Sequence, residues 1–280
     1  MSIYQFPQKI QPLRTLSPFN WQGRAPQLDW MVHGCFLRGT VAMVSGDGGV
    51  GKSLLMQQLL TACASGGMWL ERSVEHCPCV AVWCEDDGDE LWRRQERINE
   101  AYRCAPDDLA GLTYIERCGD DSVLIDYGRW GKDENETPFF AQVRHVVMMT
   151  KAKILLLDTV ADVFGGNENI RPQVRRFISI LRRLAIEMQG CVILTSHPSM
   201  AGRASGTGES GSTAWQNSVR CRLYLTRDDK QDDACRVLKT MKLNQGPSGG
   251  MIPLVWREGV FQVSGGFSSP PACRSASDWT

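Results

Sequence analysis

"MVSGDGGVGKSLLMQQLL", Met43 to Leu60, decides the fold. A short apolar run leads into a cluster of glycines, and the glycines lead into a leucine-rich stretch: strand, tight loop, helix. Gly46, Gly51, Lys52 and Ser53 fit the pattern G-x-x-x-x-G-K-[ST]. Glycine permits the unusual dihedrals and the close backbone approach that let successive N–H groups of Gly46, Asp47, Gly48, Gly49, Val50, Gly51, Lys52, Ser53 and Leu54 wrap a chain of phosphates. The helix opening near Gly51 adds the partial positive charge of its N-terminus. In this pattern Lys52 bridges the outer phosphates and the Ser53 hydroxyl ligates Mg²⁺. The bland alternative is a chance glycine turn. An apolar strand before the loop and an amphipathic helix after it argue against that.

The rest of the chain repeats the strand-then-helix order. After the helix "KSLLMQQLLTACAS" come a strand "CVAVWCE", a helix "DELWRRQERINEAY" and a strand "LTYIER". Thr137 and Pro138 form an N-cap and first-turn pair for "PFFAQVRHVVMMTKA". The strand "ILLLD" follows, and then Val174, Phe177, Ile178, Leu181, Leu184, Ala185 and Met188 recur at three- and four-residue steps, one helical face ending at Gly190. "CVILTSH" is the next strand. Strands apolar throughout, each followed by an amphipathic helix, predict an α/β fold with a mostly parallel sheet covered by helices on both faces. Past Gly211 the runs "RCRLYLTR", "CRVLKTMKL", "IPLVWR" and "VFQV", separated by turn residues, predict a C-terminal antiparallel extension. This divides the chain into an N-terminal arm (1–28), a single domain (29–265) and a loose tail (266–280).

The 280 residues suffice for one large core, and the formal charge is zero, so no global basic field draws the protein to nucleic acid. Such contacts must come from a local patch or from subunits pooling their charges. No signal peptide or membrane span is legible, and the eleven cysteines, an odd number scattered through strands and helices, read as reduced cytoplasmic thiols. Cys77 and Cys79 form a lone C-x-C, which is weak as a metal site. The arm carries Phe19 and Trp21 among Pro and Gln, apolar residues that need another surface, a neighbouring subunit being one candidate.

Asp158 ends "ILLLD" and so stands at the C-terminal edge of a parallel strand, where open α/β sheets bind ligands. It is expected to complete the Mg²⁺ site with Ser53. Thr159 occupies the slot where many helicases place a glutamate, so the carboxylate that orients or deprotonates water must come from elsewhere. Glu85 and Asp86 end the strand after the loop helix; Glu85 has the longer reach. Asp87 and Asp89 read as helix N-terminal charges.

With these residues in place the sequence resembles the RecA-like ATPases, and among them the DnaB-related hexameric replicative helicases of the RepA plasmid type and their phage relatives. "SGDGGVGKS", "VWCEDDGDELWRR", "LLLDT", "VILTSHPS", "GSTAWQNSVR" and "MKLNQG", in that order, carry the resemblance. It implies an ATP- and Mg²⁺-dependent hydrolase, a homohexamer with its site between subunits, and single-stranded DNA in a central channel. It assigns Glu85 as the catalytic carboxylate beside Asp86, His197 as the sensor of the γ-phosphate, and Arg220 as the arginine finger, with Arg222 its rival. Lys242 is a second cation offered across the interface, and Arg94 matches a position that packs on adenine.

The resemblance also turns the loops after Asp158 and His197 toward the channel, where Arg171 and Arg203 are their basic residues. Only about 40 residues precede the glycine loop, so a replication initiator or primase would have to meet the core or the short arms. Two other functions use the same core: a filament-forming recombination mediator, and a regulatory ATPase with a protein target.

Overall fold

The computed structural model describes residues 14–128, 135–198, 213–228, 232–246 and 248–265. Its centre is a nine-stranded sheet. In chain order the strands are β1 (Thr40–Gly46), β2 (Cys79–Trp83), β3 (Leu112–Glu116), β4 (Ile154–Asp158), β5 (Cys191–Ser196), β6 (Cys221–Arg227), β7 (Cys235–Leu243), β8 (Met251–Arg257) and β9 (Val260–Val263). Across the sheet they run β9-β8-β7-β6-β1-β5-β4-β2-β3. The helices are α1 (Lys52–Ser65), α2 (Gly88–Tyr102), α3 (Pro138–Met149), α4 (Val160–Val163), α5 (Arg171–Glu187) and α6 (Thr213–Ser218).

β1, β2, β4 and β5 are buried along their whole lengths. Their side chains alternate between two cores, as a two-residue period requires. Ala42, Val44, Ala81 and Leu156 face the core filled by Leu55, Leu59 and Ile98 of α1 and α2. Val41, Met43, Val80, Leu155 and Leu157 face the other, filled by Val143, Phe177, Leu181 and Trp215 of α3, α5 and α6. Truncating a fully buried residue such as Leu156 to alanine costs about 2–5 kcal/mol. The predicted α/β class, with helices on both faces, is what the chain adopts.

Two readings of local structure are corrected. "RCRLYLTR" was expected to open the antiparallel extension, but β6 runs parallel to β1, and the antiparallel pairs are β6–β7, β7–β8 and β8–β9. The loop helix was expected to be amphipathic, yet α1 is buried from Leu54 to Ser65 on every side, including Gln57, Gln58 and Thr61. Its polar groups survive burial by bonding. Gln58 donates to the Phe261 carbonyl and accepts from the Phe261 N–H, both at 2.9 Å, which ties the far edge strand β9 to α1.

Helix ends follow the local chemistry. Thr137 caps α3 by accepting from the Phe140 N–H at 3.2 Å, with Pro138 behind it. Asp87 caps α2 by accepting from the Glu90 N–H at 2.8 Å, while Asp89 and Glu90 lie in its first turn. The apolar stripe of α5 from Val174 to Met188 is buried as its spacing required.

In the described part of the arm Leu16, Phe19 and Trp21 are exposed, Phe19 by 92%. The rest of the arm, residues 1–13, and the tail, 266–280, lie outside the described residues. Cys35, Cys63, Cys77, Cys79, Cys84, Cys191 and Cys221 are buried, as expected of core thiols, and none of the described cysteines is in a disulfide. Among the described residues no group of His, Cys, Asp or Glu, Cys77 and Cys79 included, is arranged to hold a metal by itself, and no helix is long and apolar enough to cross a membrane.

Candidate functional site: a phosphate cradle at the strand ends

The parallel register brings four chain segments to one edge of the sheet. Ser196 lies opposite Ser45 and Asp158 opposite Trp83, so the ends of β1, β5, β4 and β2 present Gly46, His197, Asp158 and Glu85 side by side. Asp158 stands next to β2 rather than β1, which is why a carboxylate two residues past Trp83 reaches the same space as the glycine loop.

Two of the loop's glycines, Gly46 and Gly51, are demanded by contact. A Cβ on Gly46 would lie 2.7 Å from the Leu225 carbonyl oxygen and 2.9 Å from Val50 Cγ1. Gly51 sits at φ +100° as the N-cap of α1, and a Cβ there would lie 2.6 Å from the Phe261 ring. Leu225 and Phe261 belong to the C-terminal strands, which therefore form the back wall of the loop. Arg236 of β7, only 8% exposed, completes that wall: its Nε donates to the Val50 carbonyl at 3.2 Å and its Nη1 to the Cys235 carbonyl at 2.9 Å, with a further bond to the Asp233 carbonyl.

Lys52 is 5% exposed, and its ammonium is folded into the cradle, donating to the Gly46 carbonyl at 2.9 Å and the Asp47 carbonyl at 3.1 Å. Its Nζ also lies 3.4 Å from His197 Nδ1. On the other side of the ring, His197 Nε2 lies 3.4 Å from Glu85 Oε1. The Glu85 side chain is 50% exposed, so it retains access to water.

Asp158 is 1% exposed and accepts from the Thr195 hydroxyl. Burial pushes its carboxyl pKa up; hydrogen bonds from Thr195 and Ser53 act against that, and the charges of Glu85 and Asp86 add to it. Its peptide bond to Thr159 is cis. A buried carboxylate joined to a serine hydroxyl, with a second carboxylate edge nearby, is a hard-oxygen set of the kind Mg²⁺ takes, a few protein ligands beside phosphate oxygens and water. The donor set therefore fits the ion that the glycine loop implies, with Ser53 and Asp158 as its holders.

Asp86 points elsewhere. It receives a two-pronged hydrogen bond from Arg94, at 2.5 and 3.0 Å, and Arg94 Nε pairs with Glu90 at 2.9 Å. These bonds fasten the start of α2 beneath Glu85, leaving Arg94 24% exposed.

The remaining cations gather on β6 and β7. Arg222 lies opposite Lys242. Arg222 is 5% exposed, whereas Arg220 is half-buried at the strand's start, so of the two rivals Arg220 is the more accessible. Lys242 donates to the carbonyls of Gln216 at 2.7 Å and Val219 at 2.9 Å, closing the end of α6. Its pKa is lowered by burial first, then by Arg220 and Arg222. Arg171 is exposed at the first turn of α5, and Arg203 lies outside the described residues.

The structure thus brings together Lys52, Ser53, Asp158, His197 and Glu85, and sets Arg220 and Lys242 apart on the extension. Sequence reasoning did not find Arg236, Phe261 or Thr195. Only Thr195, two residues before His197 in the same strand, had a positional signal, because alternate strand residues share a face.

A glycine cradle at a strand–helix junction, a buried lysine within it and a buried strand-end aspartate beside its serine define a P-loop ATPase with a RecA-like fold. The chain belongs to the AAA domain family, which its residues 7–203 match. Among solved structures it is similar to a KaiC-like protein, PH0186, from the hyperthermophilic archaeon Pyrococcus horikoshii OT3, at 18% identity over 83% of this chain and 93% of that one, with a TM-score of 0.56. At that identity the likeness speaks to fold alone. No curated protein matches the chain.

Proposed function

We propose that this protein is a Mg²⁺-dependent ATPase that assembles as a homohexameric ring and couples hydrolysis to movement along single-stranded DNA, in the manner of plasmid and phage replicative helicases. The observation that carries the reading is the position of His197, in reach of both Lys52 and Glu85. A residue so placed can sense whether the γ-phosphate is present, and it is followed directly by the Gly- and Ser-rich segment "PSMAGRASGTGESGS", suited to contact with a strand.

In this reading the backbone of Gly46 to Leu54 holds the triphosphate, and Lys52 exchanges its two loop carbonyls for phosphate oxygens. Ser53 and Asp158 would hold Mg²⁺, which would supply charge neutralisation at the phosphates. Glu85 orients a water and takes its proton. Asp86, Glu90 and Arg94 keep α2, and with it Glu85, in place. Arg220 enters the site of the neighbouring subunit, with Lys242 behind it; the crowding of Arg220, Arg222 and Lys242 is a like-charge cost that a neighbour's triphosphate would relieve. The exposed arm from Leu16 to Leu28 ties subunits together, and ssDNA meets the channel through Arg171 and Arg203. A replication initiator or primase would meet the outer surface of such a ring.

Subunits carrying Arg220→Ala mixed with subunits carrying Glu85→Gln test the shared site. Each variant alone is expected to be nearly inactive, and the mixture to regain activity because some interfaces then contain both native groups. A mixture that co-assembles yet stays inactive counts against Arg220 acting in trans.

A further inference from the structure

The buried stripe of α5 has a counterpart on its outer face. Arg171, Arg175, Arg176 and Arg183 are exposed and Arg182 half-buried; the other exposed residues of the helix are Pro172, Ser179, Ile186 and Glu187, the one acid, at its end. Steps of four and seven residues place Arg171, Arg175 and Arg182 in one row along the helix, with Arg176 and Arg183 in a second row beside it. At 1.5 Å per residue the array is roughly 18 Å long.

Among the described residues no acidic side chain pairs with Arg171, Arg175, Arg182 or Arg183, whereas the exposed Arg144 on neighbouring α3 is paired, with Glu187 at 2.8 Å. The placement works against the helix itself. Arg171 sits in its first turn, where the helix dipole favours acids, and Arg171 and Arg175 are like charges four residues apart. In a chain of zero formal charge, so dense a run of one sign on one face calls for an anionic partner.

We infer that the outer face of α5 from Arg175 to Arg183 is a docking surface for the phosphate backbone of double-stranded DNA, with Arg171, at the end of the helix nearest the nucleotide edge, left to the single strand assigned to the channel. The choice of duplex rests on what the face lacks. Single strands are held by aromatic platforms on which bases stack, and no exposed residue of α5 is aromatic. A duplex hides its bases and offers rigid rows of phosphates to a rigid row of arginines. α5 runs from the nucleotide edge of the sheet back to the opposite edge, where Gly190 leads into β5, so the array gives a duplex a straight track along the flank of the domain.

The test is fluorescence anisotropy of a labelled 24-base-pair duplex and of a single strand of the same length, without nucleotide, across a salt series. Leaving nucleotide out separates this inference from the hydrolysis reading, which can fail while duplex binding stands. For Arg175→Glu/Arg182→Glu/Arg183→Glu the expected result is at least tenfold weaker duplex binding and a log–log salt slope shallower by about three, given close to one released counterion per lost phosphate contact. The Arg→Lys version of the same triple variant should restore most of the affinity, and matched melting curves should establish that both variants fold. The inference is overturned if the glutamate variant binds duplex like the native protein, if it loses single-strand binding alone, or if the native protein ignores duplex at low salt, in which case an acidic protein is the better partner for this face.

Discussion

The His197 imidazole and the Glu85 carboxylate meet 3.4 Å apart at the edge of the sheet, although 112 residues separate them in sequence. The second ring nitrogen faces the Lys52 ammonium, which can only donate, so Nδ1 accepts there and Nε2 carries the hydrogen directed at Glu85. His197 therefore joins the Lys52 ammonium to the Glu85 carboxylate without being in the glycine loop or on the strand that leads to Glu85.

Replacing this bridge should separate binding from turnover. His197→Ala is expected to leave the KM for ATP within about threefold, to lower kcat roughly 10- to 100-fold, and to abolish any response of kcat to single-stranded DNA. Steady-state rates with and without DNA check this; a variant with an undiminished DNA response would remove His197 from the coupling.

Asp158 should trade stability for function. Because burial raises its folded-state pKa, the folded protein holds this proton more tightly than the unfolded chain does. The group therefore favours folding in acid, and that contribution is lost as pH rises through the raised pKa, leaving a buried charge that costs stability at neutral pH. Asp158→Asn keeps an acceptor for Thr195 and removes the charge. At pH 7 without nucleotide it should raise Tm, by about 2–4 °C per kcal/mol recovered, and the advantage should shrink as pH is lowered. The same variant should lose most of the thermal shift that Mg²⁺ with ATP gives the native protein.

Gly51→Ala should fail for two reasons that can be told apart. The left-handed backbone costs about 1–2 kcal/mol with a side chain present, and the new Cβ meets the Phe261 ring. Adding Phe261→Ala removes the collision and leaves the dihedral cost, so the double variant is expected to recover part, never all, of the lost nucleotide affinity. Titration with a fluorescent ATP analogue measures both steps.

Much of this could be read from sequence because the informative residues are local. Met43 to Leu60 contains its own strand, loop and helix, and the apolar runs that open "ILLLD" and "CVILTSH" are of strand length and read as strands buried on both faces. Where a side chain's role depends on a distant partner, the sequence is silent. Arg236, in "CRVLKTMKL", reads as a solvated edge charge until β7 is folded against Val50. Gln58 reads as the wet side of an amphipathic helix until β9 supplies a backbone for its amide. The arginines of α5 were visible one by one, but attention to the apolar period of that helix hides the charged period between its members.

The most direct test of the account is the steady-state ATP hydrolysis rate of the purified protein at low salt, with and without a single-stranded DNA oligonucleotide, with Glu85→Gln as control. The account predicts Mg²⁺-dependent hydrolysis stimulated several-fold by the oligonucleotide and reduced about 10²- to 10⁴-fold by the substitution, the usual range for loss of a general base. Ready hydrolysis that ignores DNA would contradict it and point to a regulatory ATPase acting on a protein.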